Sequence, residues 1–449
     1  MDQTVNDTKS KAHGLPKLHI STIFAMTFGF FGVNMAFSLQ SSQMGRIFQT
    51  IGADPTKLGL FFILPPLAGM LIQPLVGKYS DRTWNRFGRR MPYLLVGAPI
   101  AALVMILLPN AGSFGLKPLQ ALAFGAAAIG LLDLSSNVCM QPFKMIIGDM
   151  VNEDQKDLAW SWQQSFSNLG GVVATLIPAL LTMFGVPNTA PSGEVPLSVK
   201  LAFYLGAVVL LVTAYYTVVS VHEYDPHTYA NYHGIDNQMT AKQPSLWQLV
   251  KTAPRQFWQV SFVQLFTWFA FQYLWTYGTG AIAKNVWHVT NPASAGYQAA
   301  GNWFGVLTCV ESLAAVIWGM AVLSKTKPQS RKFWYKLSLV IGGIGFLLVG
   351  YTGSKWLLIP AFALIGICYL TMQTQALSLF TEALNGENEG AYLGLFNCSI
   401  CLPQIIASLL SFILFPLIGQ SMPGMLIIAG IILFAGVFAV NIIQTKYHK

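Results

Sequence analysis

Long apolar segments alternate with short polar ones along the whole chain. Each apolar segment reaches the length of about 20 residues that an α-helix needs to cross a bilayer. We predict a transmembrane helix in each of twelve such segments. They cover residues 18–42, 57–79, 91–110, 118–147, 158–186, 198–220, 256–282, 298–323, 333–352, 355–380, 390–416 and 421–444. The pattern therefore predicts an all-α integral membrane protein.

The composition agrees with a protein whose surroundings are mainly lipid. Of the 449 residues, 54% are apolar and only 10% are charged, whereas soluble domains average about 25% charged residues. The formal net charge of +9 comes from short loops rather than from one exposed surface, so it does not indicate nucleic-acid binding. The five cysteines lie in apolar segments without the spacing of a metal site or a disulfide framework. We therefore expect no metal, no cofactor and no enzyme activity.

Basic residues are concentrated in the loops on one side of the predicted membrane. Loops 78–90 and 324–336 each contain five lysines or arginines, whereas the loops on the other side hold single lysines. Positive loops stay in the cytoplasm, so we expect both termini there. The first 17 residues are polar and lack the apolar core of a secretory signal. The protein is expected in a plasma membrane. Its short loops without a plausible glycosylation site favour the inner membrane of a bacterium.

A polar connection, residues 222–255, divides the predicted helices into six plus six. The resulting units are a leader (1–17), a first half (18–221), the connection, a second half (256–444) and a tail (445–449). Both halves have a basic loop between their second and third helices. Paired halves that face each other across a central cavity are typical of transporters that work by alternating access.

The fourth predicted helix contains a carboxylate in its middle. At about 100° per residue, Asp133, Asn137, Met140 and Lys144 form one narrow stripe. A carboxylate at this depth costs about 2.5–3.5 kcal/mol on insertion scales and usually has a function. Asp133 could bind a proton, or it could form a structural pair with a basic residue of another helix.

Amide side chains occur on several other predicted helices. Asn34 and Gln40 lie on the first, Gln164 on the fifth, and Asn397 and Gln404 on the eleventh. Amides both donate and accept hydrogen bonds, as a hydroxyl-rich ligand requires. They also form ordinary bonds between membrane helices. On the aromatic seventh helix, Trp275 either contacts a ligand or only packs.

Several segments together resemble one known family. The loop from Gly77 to Arg90 resembles the loop between helices 2 and 3 of major facilitator transporters. The wider match is to the sucrose/proton symporter family, the relatives of plant sucrose carriers in the glycoside-pentoside-hexuronide group. The matching segments are Arg46–Gln49, Ser80–Trp84, Gly88–Arg90, Leu132–Lys144, Ala300–Trp303 and Gly394–Gln404.

This resemblance implies a major facilitator fold of two six-helix halves around a central cavity. It also implies proton-coupled uptake of an α-linked disaccharide, with maltose expected before sucrose. Asp133 falls on the proton-coupling aspartate of the family and Lys144 on a sugar-site arginine. The family often has glutamate where this chain has Gln141, so the sugar preference can differ. The expected substrate-binding residues are Asn34, Gln40, Asn137, Gln141, Lys144, Gln164, Trp275, Asn302, Asn397 and Gln404. The expected gating residues are Asp81, Arg82, Arg89 and Arg90.

Other expectations stay open at this point. Glu311, the second deep carboxylate, could bind sugar, share the proton or pair with a basic residue. The expected partners are a disaccharide, a proton and the lipid bilayer, with the carrier a monomer. Sodium coupling is an alternative, although the second predicted helix has no acidic residue to help bind sodium. Drug export and sugar sensing are further alternatives, but the chain has neither the exporters' glycine–proline signature in its fifth helix nor a signalling domain.

Overall fold

The computed structural model describes residues 15–80, 83–233, 246–381 and 389–444. Within these ranges the chain forms fifteen α-helices and no β-strand. They are α1 Ile20–Thr50, α2 Leu58–Phe61, α3 Leu64–Ser80, α4 Met91–Leu107, α5 Pro118–Met150, α6 Glu153–Met183, α7 Leu197–Ser220, α8 Pro226–His233, α9 Leu246–Thr252, α10 Arg255–Val286, α11 Ala295–Ala321, α12 Arg331–Tyr351, α13 Leu358–Thr381, α14 Glu389–Leu417 and α15 Met422–Ala439. Eleven helical stretches have the length and apolar composition of a membrane span. The predicted all-helical membrane fold is confirmed.

The long helices form two groups. Helices α1–α7 pack on one another, as do helices α10–α15, and we name these the N-terminal and C-terminal groups. Successive long helices run in opposite directions, so the molecule has two ends. The basic end contains the loop 83–90, the connection 221–233 and the loop 322–330. The distal end contains the loops 51–57, 108–117, 184–196 and 287–294.

The first helix is longer than the sequence suggested. The predicted helix ends at residue 42, whereas α1 continues to Thr50. Gln43, Arg46 and Gln49 are all buried among other helices, so their polarity does not mark the membrane surface. The helix stops before Gly52, whose φ of +101° is a conformation that favours glycine.

The second predicted span is interrupted near its start. It consists of the short helix α2 and the longer α3, which begins at Leu64. Pro65 and Pro66 follow immediately, and proline has no backbone N–H to continue the bonding of a preceding helix. The same residues fit the first turn of a new helix, where that N–H would have no partner. The break therefore follows directly from the sequence.

The two groups approach each other closely at the distal end. A Cβ added to Gly305 of α11 would clash with the backbone carbonyl of Thr175 in α6. A Cβ on Gly45 of α1 would lie 3.1 Å from the carbonyl oxygen of Thr276 in α10. Only glycine permits backbones of neighbouring helices to come this near at both places.

Towards the basic end, the same surface of α6 is open. Ser161, Gln164 and Asn168 lie on the stripe of α6 that includes Thr175, because residues seven and eleven apart share a helix face. Ser161 and Gln164 are exposed, whereas Thr175 is buried against α11. The space between the groups is thus closed at the distal end and accessible from the basic end.

Candidate functional site

A buried hydrogen-bond network surrounds Asp133 in the middle of α5. Asp133 is 2% exposed. Its Oδ1 accepts a hydrogen bond from Nε2 of Gln40 at 3.1 Å, and its Oδ2 accepts one from Nδ2 of Asn137 at 2.9 Å. Both carboxylate oxygens therefore face amide N–H donors rather than a cation. The interpretation of Asp133 as half of a structural pair with a basic side chain finds no partner among the described residues.

The network extends from α5 to α3. Gln73 of α3 donates to Oδ1 of Asn137 at 2.7 Å and accepts from Nε2 of Gln141 at 2.9 Å. Three of the predicted residues, Gln40, Asn137 and Gln141, thus lie in one network with Asp133. Sequence reasoning missed Gln73, although an amide in the otherwise apolar segment Leu58–Val76 was a usable signal.

Lys144 lies farther towards the basic end on the same helix. It follows Asp133 by eleven residues, or about 16 Å along the axis. Its side chain is half-buried, and no carboxylate contacts its ammonium group in the part of the chain that the structure describes. Lys144 therefore offers a positive charge at the edge of the accessible space without belonging to the Asp133 network.

The other predicted substrate residues lie in different surroundings. Asn34 donates to the backbone carbonyl of Ser167 at 2.5 Å and so joins α1 to α6. Gln164 is exposed on the open stripe, and Trp275 of α10 is half-buried. On α14, Asn397 is half-buried and Gln404 is buried. None of these contacts decides between a ligand and a structural role.

A second polar cluster closes the distal end, centred on Arg46. This arginine is fully buried, at 0% exposure. Its Nε donates to Oε1 of Gln298 at 2.6 Å, and its Nη1 donates to Oδ1 of Asn302 at 2.8 Å. Nη2 donates to Oδ1 of Asn188 at 2.7 Å. One guanidinium thus links the N-terminal group to two residues of α11 in the C-terminal group.

Two further hydrogen bonds cross between the groups beside Arg46. Gln298 donates to Oγ1 of Thr50 at 3.0 Å, and Asn302 donates to Oγ1 of Thr182 at 2.8 Å. Asn302 was predicted as a substrate residue, but the structure places it in this distal cluster and away from Asp133. The cluster therefore acts as a polar closure between the two groups.

The basic loop after α3 is fastened within the N-terminal group. Arg90 is 1% exposed, donates from Nε to Oδ2 of Asp149 at 2.7 Å and also donates to the hydroxyl of Ser80. The guanidinium of Arg89 lies 4.7 Å above the ring of Tyr229. Arg89 and Arg90, two of the four predicted gating residues, thus contact side chains of the N-terminal group and the connection that follows it. Asp81 and Arg82 lie outside the described residues.

Glu223, which follows α7, binds the beginning of α4. Its carboxylate accepts backbone N–H bonds from Arg89, Arg90 and Met91 at 2.8–3.0 Å. Burial raises the pKa of Glu223 above its ordinary value, and the nearby carboxylate of Asp149 adds to this, against the opposing effect of the three N–H donors. A carboxylate at a helix N-terminus stabilises it through the helix dipole. Glu223 therefore ties α4 to α7 at the basic end.

Glu311 is the remaining predicted acid, and it lies inside the C-terminal group on α11, 7% exposed. Together these features give the molecule two carboxylates in the membrane region, a polar network on the N-terminal group and a closed distal end. Ionisable side chains at membrane depth are costly and usually functional, so these two carboxylates mark the candidate site.

Comparisons with known proteins agree with this architecture. Residues 22–408 match the Major Facilitator Superfamily. The chain is 21% identical over 413 residues to sucrose transport protein SUC4 of Arabidopsis thaliana, covering 84% of this chain and 81% of that one. It is 23% identical over 424 residues to sucrose transport protein SUT5 of Oryza sativa subsp. indica, covering 84% and 79%.

Solved structures with the same fold are also transporters. The nucleoside transporter NupG superimposes with a TM-score of 0.71 at 11% identity, over 95% of this chain and 100% of that one. A bacterial homologue of the human lysosomal transporter Spinster, solved in an inward-facing and occupied conformation, gives 0.66 at 13% identity, over 94% and 96%. The relatives and structural neighbours are transporters, not enzymes.

Proposed function

The chain belongs to the major facilitator superfamily, and on that premise we propose that it takes up an α-linked disaccharide, sucrose or maltose, together with a proton. The observation that carries the proposal is the buried Asp133 with its amide partners. It combines a group that can take up a proton with side chains that suit sugar hydroxyls.

The proposed substrate class rests on two independent supports. The relatives with 79–81% of their length matched are named sucrose transport proteins. The amides of Gln40, Gln73 and Gln141 form a connected polar surface in the membrane region. Oε1 of Gln40 is buried without a hydrogen-bond partner among the described residues, and so remains available to a hydroxyl donor.

Proton coupling is favoured over sodium coupling by the surroundings of Asp133. Sodium requires several oxygen ligands around it, usually with more than one carboxylate. Here the two amides turn N–H groups towards Asp133, and Oδ1 of Asn137 already accepts from Gln73. A single carboxylate held by N–H donors is suited to gaining and losing one proton.

The orientation completes the proposal. The basic end carries the arginines of the loop 83–90, and positive loops stay in the cytoplasm. The basic end then faces the cytoplasm, and the described conformation is open to the inside and closed to the outside. We propose that the carrier works as a monomer in a plasma membrane, that of a bacterium, with the two helix groups rocking around the central space.

The experiment is uptake of labelled sucrose and maltose into vesicles with an imposed proton gradient, an imposed sodium gradient or none. Accumulation only with the proton gradient is expected, and accumulation driven by sodium alone contradicts the proposed coupling. Asp133→Asn should abolish accumulation while sugar exchange without a gradient persists, because the amide has the same shape and keeps one acceptor oxygen for the two N–H donors but cannot take up the proton. Ser135→Ala is the matched control on the same helix, since among the described residues that hydroxyl donates only to the carbonyls of Leu131 and Leu132. Full accumulation by Asp133→Asn would remove Asp133 from the coupling.

A further inference from the structure

The carboxylate of Glu311 is a buried group to which the described part of the protein offers no partner. Glu311 is 7% exposed on α11. Among the described residues, neither a hydrogen bond nor an ion pair reaches it. An ionisable side chain at membrane depth is costly and generally functional. Because no basic residue contacts it in the described part of the chain, the structural-pair interpretation loses its support, and a sugar or a proton is the remaining kind of partner.

The Glu311 face of α11 points between α10 and α13. Phe304 lies two turns earlier on the same face, and its ring packs edge-on against Phe362 of α13 with centroids 5.9 Å apart. The same ring lies next to Gly278 of α10. The backbone of Glu311 itself touches α13 at Gly366. Glu311 therefore lies on the part of α11 that packs against α13, on the same helix face as Phe304.

Three aromatic side chains of α10 and α13 line the same region. Tyr369 of α13 lies about one helical turn after Gly366, which the Glu311 backbone meets, and its ring stands edge-on to Trp268 with centroids 6.0 Å apart. The ring centroid of Trp275 lies 6.4 Å from that of Trp268. The indole N–H of Trp268 is buried without a hydrogen-bond partner in the described chain, whereas Trp275 and Tyr369 are half-buried. An acceptor, a free donor and aromatic faces thus occur together.

Glu311 lies at the same depth as Asp133 but on the other helix group. Both α5 and α11 begin at the distal end, at Pro118 and Ala295. Asp133 follows the first residue of its helix by 15 positions and Glu311 by 16, which corresponds to roughly 22–24 Å along the axis in both cases. The two buried carboxylates therefore occupy matching positions on the two helix groups.

We propose that Glu311, Trp268, Trp275 and Tyr369 form a subsite for one pyranose ring of the transported disaccharide. This inference rests on the proposed function and adds the second half of its site. The carboxylate of Glu311 accepts hydrogen bonds from ring hydroxyls, and the Trp268 N–H donates to another sugar oxygen. The faces of Trp275 and Tyr369 contact the apolar face of the ring, as aromatic side chains do in ligand pockets.

The test is equilibrium binding of labelled sucrose and maltose to the purified full chain in detergent, at one pH and without a gradient. Glu311→Gln keeps the shape but replaces one acceptor oxygen with an amide donor, and affinity should fall severalfold to about tenfold because a sugar hydroxyl that donated to that oxygen loses its acceptor. Trp268→Phe keeps the ring but removes the donor, and should weaken binding severalfold. Ser312→Ala is the control, because that hydroxyl donates only to the Thr308 carbonyl of its own helix.

The outcomes separate the subsite from the proposed function. Parental affinity in Glu311→Gln overturns the subsite, while sugar binding by the parent leaves the proposed function intact. Parental affinity combined with lost proton-driven accumulation also overturns it, because Glu311 then acts on the proton. If Glu311→Gln does not fold, Trp268→Phe decides by the same criterion. If the parent binds neither sugar, the proposed function fails and the subsite fails with it.

Discussion

Replacing Arg46 with lysine should open the distal end of the carrier. Arg46 uses three separate nitrogens to reach Gln298, Asn302 and Asn188. Lysine carries its charge at one nitrogen and lacks the planar fork, so it cannot occupy all three positions. The bonds to Gln298 and Asn302 join the two helix groups and exist only while the distal end is closed. Lysine therefore penalises the closed state and leaves the open state, where water solvates the side chain, largely unaffected.

The size of the shift follows from the number of bonds lost. A hydrogen bond to a charged group contributes about 1.5–3 kcal/mol. Loss of one bond between the groups would change the ratio of closed to open molecules by roughly tenfold to hundredfold, since about 1.4 kcal/mol corresponds to a factor of ten. Asn302→Ala removes an acceptor from the same contact. The free-energy effects of the two single substitutions should therefore sum to more than the effect of the double variant.

The population can be measured with spin labels on the two distal loops. Labels at Lys57 and Asn291, both exposed and on different helix groups, report the separation of the groups in a background without the native cysteines. Arg46→Lys should increase the fraction of long distances. Arg86→Lys is the matched control, because Arg86 is exposed at the basic end and stacks on Phe87. A distance distribution in Arg46→Lys equal to that of the parent would refute the reasoning.

Two further predictions concern charged groups nearer the basic end. Lys144→Ala should weaken sugar binding more than it lowers the yield of folded protein, and Lys144→Arg should restore binding; unchanged affinity in the alanine variant would leave Lys144 without a role in the sugar site. For Glu223, whose pKa burial raises, the folded state binds the proton more tightly than the unfolded state. The stability advantage of the parent over Glu223→Gln should therefore be largest below the ordinary glutamate range near 4.3 and decrease as the pH rises through the raised pKa. Thermal unfolding in detergent at several pH values tests this, and an advantage that grows with pH would contradict it.

The fold followed from the sequence because the lengths of apolar segments reflect the thickness of the bilayer. The end of the first helix shows where that reasoning fails. The predicted helix stops at residue 42, before Arg46 and Gln49, but other helices bury these two polar side chains within α1. Hydropathy measures the preference of a residue for lipid, and it cannot report that a polar side chain is solvated by protein.

The candidate site was predictable only in part, for a related reason. The stripe of Asp133 and Asn137 follows from helix geometry within one segment. The bonds that Asn137 makes to Gln73, and those that Asn302 makes to Arg46 and Thr182, depend on which helices become neighbours. Residue type identified these amides as polar groups in a membrane, but only the packing shows which belong near Asp133 and which close the distal end.

The glycine contacts at the distal end have a consequence for the temperature dependence of transport. Where Gly45 and Gly305 meet the other group, backbone faces backbone, and the nearest atoms to each glycine are carbonyl oxygens rather than apolar side chains. The heat-capacity change of a conformational transition depends mainly on the apolar area that becomes hydrated. Separation at these contacts should therefore have a small heat-capacity change, and the ratio of the two conformations should follow a nearly straight van't Hoff line over the temperatures at which the membrane stays fluid.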